Sequence, residues 1–271
     1  MKLVKYLVEH GIEINKVNKF NETPLLNTCK NGNNEELMKC FVEYGAKVNI
    51  PNYDGETPLL FACKNGNEKI VKYLIEQGAN INITSNKDET PLFSACESGK
   101  EEVVKYLVEQ GADINKIDKS GRTPLFAACS SGNEAVVKFL VELGTDINKT
   151  CKKHYTPLFN ASSSGNEAVV KYLVEHGADI NKAKKNGETA LFNACKNGNE
   201  AVVKYLIEHG ANINITNNKD ETPLLIARES GKEEVVKVLI EYGATNKSST
   251  ISLSIDNKTE NKNAIKYLVE N

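Results

Sequence analysis

Tryptophan is absent from this 271-residue sequence, methionine and histidine are scarce, and the formal net charge is only −2. A near-neutral chain has no general basic field that would attract DNA or RNA, so nucleic acid is not an expected partner. Apolar runs are short and are interrupted by lysine or glutamate, which argues against a membrane-spanning helix. The first residues, MKLVKYLVEHG, carry charges inside their apolar stretch, unlike the core of a signal peptide.

Paired cysteine motifs are also absent. The seven cysteines are an odd number, and no two stand at the close spacing of a zinc ribbon or of a redox motif. Without a secretory signal, reduced thiols are the expected state. The sequence therefore predicts a cytoplasmic protein with no membrane partner.

A short motif returns at a fixed period along the chain. The threonine that opens TPLL, TPLF or TALF stands at positions 23, 57, 90, 123, 156, 189 and 222, so one spacing is 34 and the others are 33. The single extra residue lies in NGNN at 31–34, where sister units have NGNE or SGKE. A constant period of this length indicates a solenoid of stacked units.

Each unit predicts two helices, and the fourth shows the signals clearly. Thr123 suits a helix N-cap and Pro124 the first helical position. The segment LFAACSS follows, and Gly132 is predicted to end it in a left-handed conformation. Asn133 is then predicted to cap a second helix, EAVVKFLVELG, closed by Gly144. Its predicted apolar face comprises Val136, Val137, Leu140 and Val141, and Lys138 and Glu142 are expected to face water.

The combined pattern G-x-T-P-L-x-x-A-x-x-G-x-x-x-V-V-K-x-L-x-x-x-G-A-x-I-N resembles the ankyrin repeat over nearly the whole chain. The resemblance implies an all-α solenoid of stacked helix-turn-helix pairs with β-hairpin-like finger loops. The histidine that the family usually has after TPL is missing, so apolar packing is expected in its place. The replacing residues are Leu26, Leu60, Phe93, Phe126, Phe159, Phe192 and Leu225. Repeat six has Ala190 instead of proline, which should loosen its helix start slightly.

We predict a single ankyrin-repeat domain over residues 1–271. Residues 1–15 form an N-terminal half repeat, 16–247 seven full repeats, and 248–271 a shortened capping repeat with a more polar first helix. The half repeat keeps Leu3, Val4 and Leu7 apolar, unlike a cap. We expect a monomer, but these apolar residues leave end-to-end self-association through this helix as an alternative.

Two rows of reactive residue types recur with the period. Cys29, Cys63, Cys96, Cys129 and Cys195 stand six residues after the threonine. Equivalent positions in stacked helices lie about 10 Å apart, too far for a disulfide, so we predict buried hydrophobic packing. His10, His176 and His209 precede the glycine that ends a second helix, where a cation interacts favourably with the helix dipole. We predict exposed helix ends rather than a row of metal ligands.

The stretch TCKKHY at 150–155 contains Cys151-x-x-His154, the spacing of half a zinc site. Zinc needs three or four protein ligands, and no second pair is available. The loop also offers neither an orienting acid nor an oxyanion device for Cys/His catalysis. The sequence therefore predicts no enzyme, metal or cofactor. In sister units the position equivalent to His154 is occupied by Gly55, Gly121, Gly187, Asn21, Asp88 or Asp220. These residue types tolerate positive φ, so a turn is predicted at His154.

Comparison of the seven units with one another marks the middle of the array. The residue before the threonine is glutamate except at Arg122 and Tyr155. After the core slot, units four and five have the uncharged pair Ser-Ser, where the other units have Lys-Asn or Glu-Ser. The resemblance places both positions on the groove that ankyrin proteins use for partners, and arginine and tyrosine are common at binding hot spots. The predicted partner-binding residues are Arg122, Ser130, Ser131, Lys152, Lys153, His154, Tyr155, Asn160, Ser163 and Ser164. Neutral variation among exposed positions is the alternative.

Two function classes follow. The first is a non-catalytic protein–protein interaction module that binds a partner protein through its concave groove and finger loops. The second is a substrate-recognition or targeting segment of a larger protein whose effector domain lies outside this chain. An engineered scaffold is a further alternative, against which the Asn/Lys bias and the irregular fifth finger argue.

Overall fold

The computed structural model describes residues 6, 9–32 and 34–245, so the predicted capping repeat at 248–271 and the apolar side chains of Leu3, Val4 and Leu7 lie outside it. Fourteen helices are described between Pro24 and Glu241. In chain order they are α1 (Pro24–Asn31), α2 (Glu35–Glu43), α3 (Pro58–Lys64), α4 (Glu68–Glu76), α5 (Pro91–Ser98), α6 (Glu101–Glu109), α7 (Pro124–Ser131), α8 (Glu134–Glu142), α9 (Pro157–Ser164), α10 (Glu167–Glu175), α11 (Ala190–Asn197), α12 (Glu200–Glu208), α13 (Pro223–Glu229) and α14 (Glu233–Glu241). The described residues contain no strand, and none of their helices has the length and apolar character needed to cross a membrane.

The helix boundaries follow the predicted signals. Thr123 has the extended backbone of an N-cap before Pro124, Gly132 ends α7 with φ of 72°, and Asn133 Oδ1 accepts the Val136 N–H at 3.0 Å. The Thr123 side chain makes no capping bond, unlike Thr90, whose hydroxyl accepts the Phe93 N–H at 3.1 Å. The predicted boundary is therefore confirmed, although the Thr123 hydroxyl contributes nothing to it.

Odd-numbered helices pack side by side in one layer, and the even-numbered helices form a second layer against them. Each even-numbered helix contacts the preceding odd-numbered helix, and from α4 to α14 successive even-numbered helices also contact one another. Val136, Val137 and Leu140 are fully buried between the layers, whereas Val141 is partly buried at their edge. A row of such contacts gives one continuous core along the solenoid.

Two rows of repeated positions lie in the core: the residues that replace the family histidine, and the cysteines. Phe126 and Phe192 are almost fully buried, which confirms that apolar packing replaces the missing histidine. All five cysteines of the repeated slot are buried free thiols, as predicted. Burial raises the pKa of the Cys29 thiol to about 12, and raises that of the other four further still. Ser162, in the same slot, is also fully buried, and its hydroxyl has no hydrogen-bond partner among the described residues.

Each repeat begins with a five-residue turn, here called a fingertip, whose first N–H donates to its fifth C=O. In the fifth repeat Cys151 N–H donates to Tyr155 C=O at 3.1 Å. The seven fingertips are 18–22, 52–56, 85–89, 118–122, 151–155, 184–188 and 217–221. His154 has φ of 65°, close to the φ of 59–60° at Asn21, Asp88 and Asp220, and Gly55, Gly121 and Gly187 are also positive. The predicted turn at His154 is confirmed, and a tight turn rather than a β-ladder forms the loop.

Asparagine side chains connect successive repeats. Asn148 Nδ2 donates to Gly177 C=O at 2.9 Å, and Asn148 Oδ1 accepts the Asp179 N–H at 2.8 Å. Similar pairs of bonds start from Asn15, Asn49, Asn82 and Asn181. Asn115 occupies the same place and makes neither bond among the described residues. These bonds fix the rotation of one repeat relative to the next.

Candidate protein-binding site

A cavity of about 440 Å³ lies between the odd-numbered helices of repeats four to six and the fingertips 151–155 and 184–188. We call it the groove cavity. Its lining residues are Ser130, Lys153, Tyr155, Phe159, Asn160, Ser163, Ser164, Lys184 and Asn193. Six of the ten predicted partner-binding residues are therefore brought to one place: Ser130, Lys153, Tyr155, Asn160, Ser163 and Ser164.

Aromatic rings form one wall of the groove cavity. The Tyr155 ring centroid lies 5.6 Å from that of Phe159 and 5.7 Å from that of Phe126, with an edge-on geometry to Phe126. Lys184 Nζ lies 4.8 Å from the Phe159 ring centroid. Burial, with the Cys151 thiol nearby, raises the pKa of Tyr155, so its hydroxyl stays neutral at physiological pH. The wall is a rigid apolar surface with a hydroxyl and an ammonium at its edge.

Short polar side chains form the opposite wall and are already hydrogen-bonded. Asn160 Nδ2 donates to Ser130 Oγ at 2.7 Å, and Asn197 Nδ2 donates to Ser163 Oγ at 2.9 Å. Ser164 Oγ donates to the Ala161 C=O at 2.9 Å. These bonds hold the wall in place and leave further hydroxyl and amide lone pairs or protons for a ligand.

An ion pair joins the two equivalent positions in the first two repeats. Lys30 Nζ lies 2.6 Å from Glu22, and Lys64 Nζ lies 2.5 Å from Glu56. The hydrogen bond from Lys30 lowers the pKa of Glu22. The partners stand eight residues apart, the glutamate before the threonine and the lysine after the core slot.

Repeats four and five lose both members of this pair. Ser130 and Ser163 stand in place of the lysine, and Arg122 and Tyr155 in place of the glutamate. The two departures found separately in the sequence therefore fall on the two positions that form the bridge in repeats one and two. Among the described residues, repeats three, six and seven do not form this bridge either, and in repeat six Glu188 pairs with Lys184 instead. The spacing of eight was the signal that could have linked them.

Arg122 has a structural role that the sequence argument missed. Its Nη2 and Nε lie 2.6 Å and 2.8 Å from Asp118 Oδ2, and its guanidinium carbon lies 5.1 Å from the Phe93 ring centroid. In repeats one, two and seven an asparagine pairs with the glutamate instead, as Asn52 does with Glu56. The departure at Arg122 therefore has a structural reason, because Asp118 pairs with it. Arg122 also lies outside the lining of the groove cavity.

The other predicted residues lie around the groove cavity rather than in it. Ser131 is exposed and donates to the Ala128 C=O at 2.9 Å. Lys152 lines a second cavity of about 630 Å³ with Asp118 and Lys119 of the preceding fingertip. His154 is exposed at the turn.

Cys151 and His154 are not arranged as a pair of metal ligands. The Cys151 side chain is buried whereas that of His154 is exposed, and their contact is a backbone bond of 2.9 Å from His154 N–H to Cys151 C=O. Within the part of the chain that the structure describes, no group of three or more His, Cys, Asp or Glu side chains is placed to hold a metal.

Phe159, Lys184 and Asn193 line the groove cavity and were not predicted. Phe159 was predicted to provide apolar packing in place of the family histidine, and it also lines the groove cavity. Lys184 opens its fingertip, where sister units have asparagine, serine, aspartate or cysteine. That difference between units was the available signal.

Comparison with known proteins agrees with this architecture. The crystal structure of the ankyrin repeat domain of human ASB11 is 27% identical in sequence, with a TM-score of 0.73, and the match covers 83% of this chain and 99% of that one. A search of curated proteins finds no match. The family model for ankyrin repeats (3 copies) matches residues 1–85, 81–151, 117–184, 144–217 and 181–250. These overlapping matches span most of the sequence, and the chain belongs to the ankyrin repeat family.

Proposed function

We propose that this chain is a non-catalytic interaction module that holds a segment of a partner protein in the groove cavity of repeats four to six. Ankyrin repeats are in general protein–protein interaction modules. The observation that carries the proposal is the groove cavity of about 440 Å³ beside an aromatic wall. Serines line it at the position where repeats one and two carry the lysine of a Lys–Glu bridge.

The composition of the groove cavity supports binding rather than catalysis. Its lining provides two aromatic rings, serine hydroxyls, asparagine amides and two ammonium groups. Its volume falls within the range of about 300–1,000 Å³ that is usual for ligand sites. An aromatic anchor surrounded by pre-positioned polar groups is the arrangement found at the centre of protein interfaces. The same groove would bind the partner if this chain were the recognition segment of a larger protein.

The test uses a phage-displayed library of random twelve-residue peptides, selected against the full chain. The affinity of the tightest synthetic peptide is then measured by fluorescence anisotropy for the wild type and for the Ser130→Lys/Ser163→Lys variant. Both substitutions restore the residue type that repeats one and two carry at Lys30 and Lys64, so the fold should be kept. We expect at least a tenfold loss of affinity, because the two long side chains fill the cavity.

The matched control is Lys196→Ser, the reverse change at the same position of repeat six. It should leave the affinity within about twofold. Arg122→Glu is unsuitable as a test because it would bring three carboxylates together, with Asp118 and Glu89. Unchanged peptide affinity in a folded Ser130→Lys/Ser163→Lys variant would remove the groove cavity as the binding site.

A further inference from the structure

The charge of the fingertips changes along the array. Fingertips two, three and seven read NYDGE, SNKDE and NNKDE and are net acidic, and the first, NKFNE, is neutral. Fingertips four, five and six read DKSGR, CKKHY and KKNGE and are net basic, with the largest positive charge at the fifth. Among the fingertips, the net positive charge is thus concentrated beside the groove cavity.

Four lysines of these basic fingertips are exposed and have no carboxylate within 4.0 Å among the described residues. They are Lys119, Lys152, Lys153 and Lys185, here called the lysine strip. Several lysines of the even-numbered helices differ, because they form an ion pair with the glutamate four residues earlier. Lys138, for example, lies 2.6 Å from Glu134. Uncompensated charges repel one another, so an array of them gains from an anionic ligand.

Backbone hydrogen bonds hold the lysine strip together. Lys152 N–H donates to Ser120 C=O at 2.8 Å, which joins fingertips four and five. Lys185 N–H donates to Lys153 C=O at 3.3 Å, which joins fingertips five and six. The four ammonium groups are therefore carried on adjoining turns, and Lys153 belongs both to the strip and to the lining of the groove cavity.

We propose that the lysine strip binds an acidic segment of the partner protein whose adjoining residues occupy the groove cavity. This inference rests on the proposed function. Fingertips on neighbouring repeats are about 10 Å apart, so three of them span about 20 Å, the length of roughly six extended residues. The acidic fingertips on both sides repel a longer polyanion, which favours a short run of Asp and Glu over a nucleic acid strand.

The experiment measures the binding of three fluorescein-labelled probes to the full chain by anisotropy. They are an eight-residue peptide of alternating Asp and Glu, the same peptide with Asn and Gln, and an eight-nucleotide oligouridylate. We expect the acidic peptide to bind at low ionic strength, to weaken as NaCl is added, and to bind at least tenfold more tightly than the amide peptide. Equal binding of the two peptides, or tighter binding of the oligonucleotide, would overturn the inference.

Charge reversal at matched positions locates the site. The Lys152→Glu/Lys153→Glu variant should lose at least tenfold in affinity for the acidic peptide. The control Lys19→Glu/Lys219→Glu changes the net charge by the same amount, at exposed positions of fingertips one and seven, and should stay within twofold. A similar loss in both variants would show a general charge effect and would contradict the inference.

The selected library peptide separates this inference from the proposed function. If it loses affinity in Ser130→Lys/Ser163→Lys but not in Lys152→Glu/Lys153→Glu, the lysine strip is refuted and the groove cavity stands. If it is insensitive to both variants, both proposals are refuted. Loss in both is the expected result.

Discussion

Replacement of Ser162 by cysteine should stabilise the fifth repeat. Ser162 is fully buried in α9, and its hydroxyl has no hydrogen-bond partner among the described residues. Burying an unsatisfied hydroxyl costs about 1–3 kcal/mol. Five sister repeats place a cysteine in this slot without strain, so the larger sulfur should fit, and we expect Ser162→Cys to raise the free energy of unfolding by about 1–2 kcal/mol.

Urea unfolding followed by far-UV circular dichroism measures the gain, and hydrogen exchange of α9 and α10 shows whether it is local. Each repeat contacts only its neighbours, so protection should rise most in repeat five. Cys129→Ser is the matched reverse change and should lower the stability by a similar amount. Ser162→Ala removes the hydroxyl without adding the sulfur, so it should fall between wild type and Ser162→Cys. A Ser162→Cys variant less stable than the wild type would refute the reasoning.

Three further outcomes are expected. Asn148→Ala removes two inter-repeat bonds and should lower the free energy of unfolding by about 1–2 kcal/mol in urea, whereas Asn115→Ala, which breaks no such bond, should change it by less than about 0.5 kcal/mol. Ala190→Pro should raise stability by about 0.4–1 kcal/mol because the first helical position accepts proline; a lower melting temperature would show that the Ala190 N–H is needed. Burial raises the pKa of the Cys29 thiol, so its contribution to stability is complete below its ordinary pKa of about 9 and is lost as pH rises from there towards about 12. Replacing Cys29 by alanine should flatten that part of the stability curve, and an unchanged slope would contradict this expectation.

The repeat made most of the fold predictable. A fixed spacing, a proline after the threonine and a left-handed glycine act locally, and so the bounds of α7 and α8 could be located from residues 123–144 alone. The positive φ of His154 could be predicted for the same reason, because sister units show which residue types the turn accepts. The terminal half repeat and the capping repeat stay predictions.

The candidate site was predictable only in part, because its contacts join residues that are far apart in sequence or in different repeats. Departures from the repeat pattern identified Tyr155, Asn160 and the serines. Comparing one position at a time concealed that Asp118 compensates Arg122, and that the missing lysine and the missing glutamate formed one bridge. Lys184 could be assigned to the site only from the structure, because it lies on the neighbouring fingertip.

Hydrogen exchange of the full chain with and without the tightest library peptide shows directly whether a partner segment lies in the groove cavity. We expect protection confined to the lining of the groove cavity, in residues 152–164 and 184–193 and around Ser130, with little change in the even-numbered helices. Protection centred on α8, α10 or α12, with none in those two segments, would contradict it.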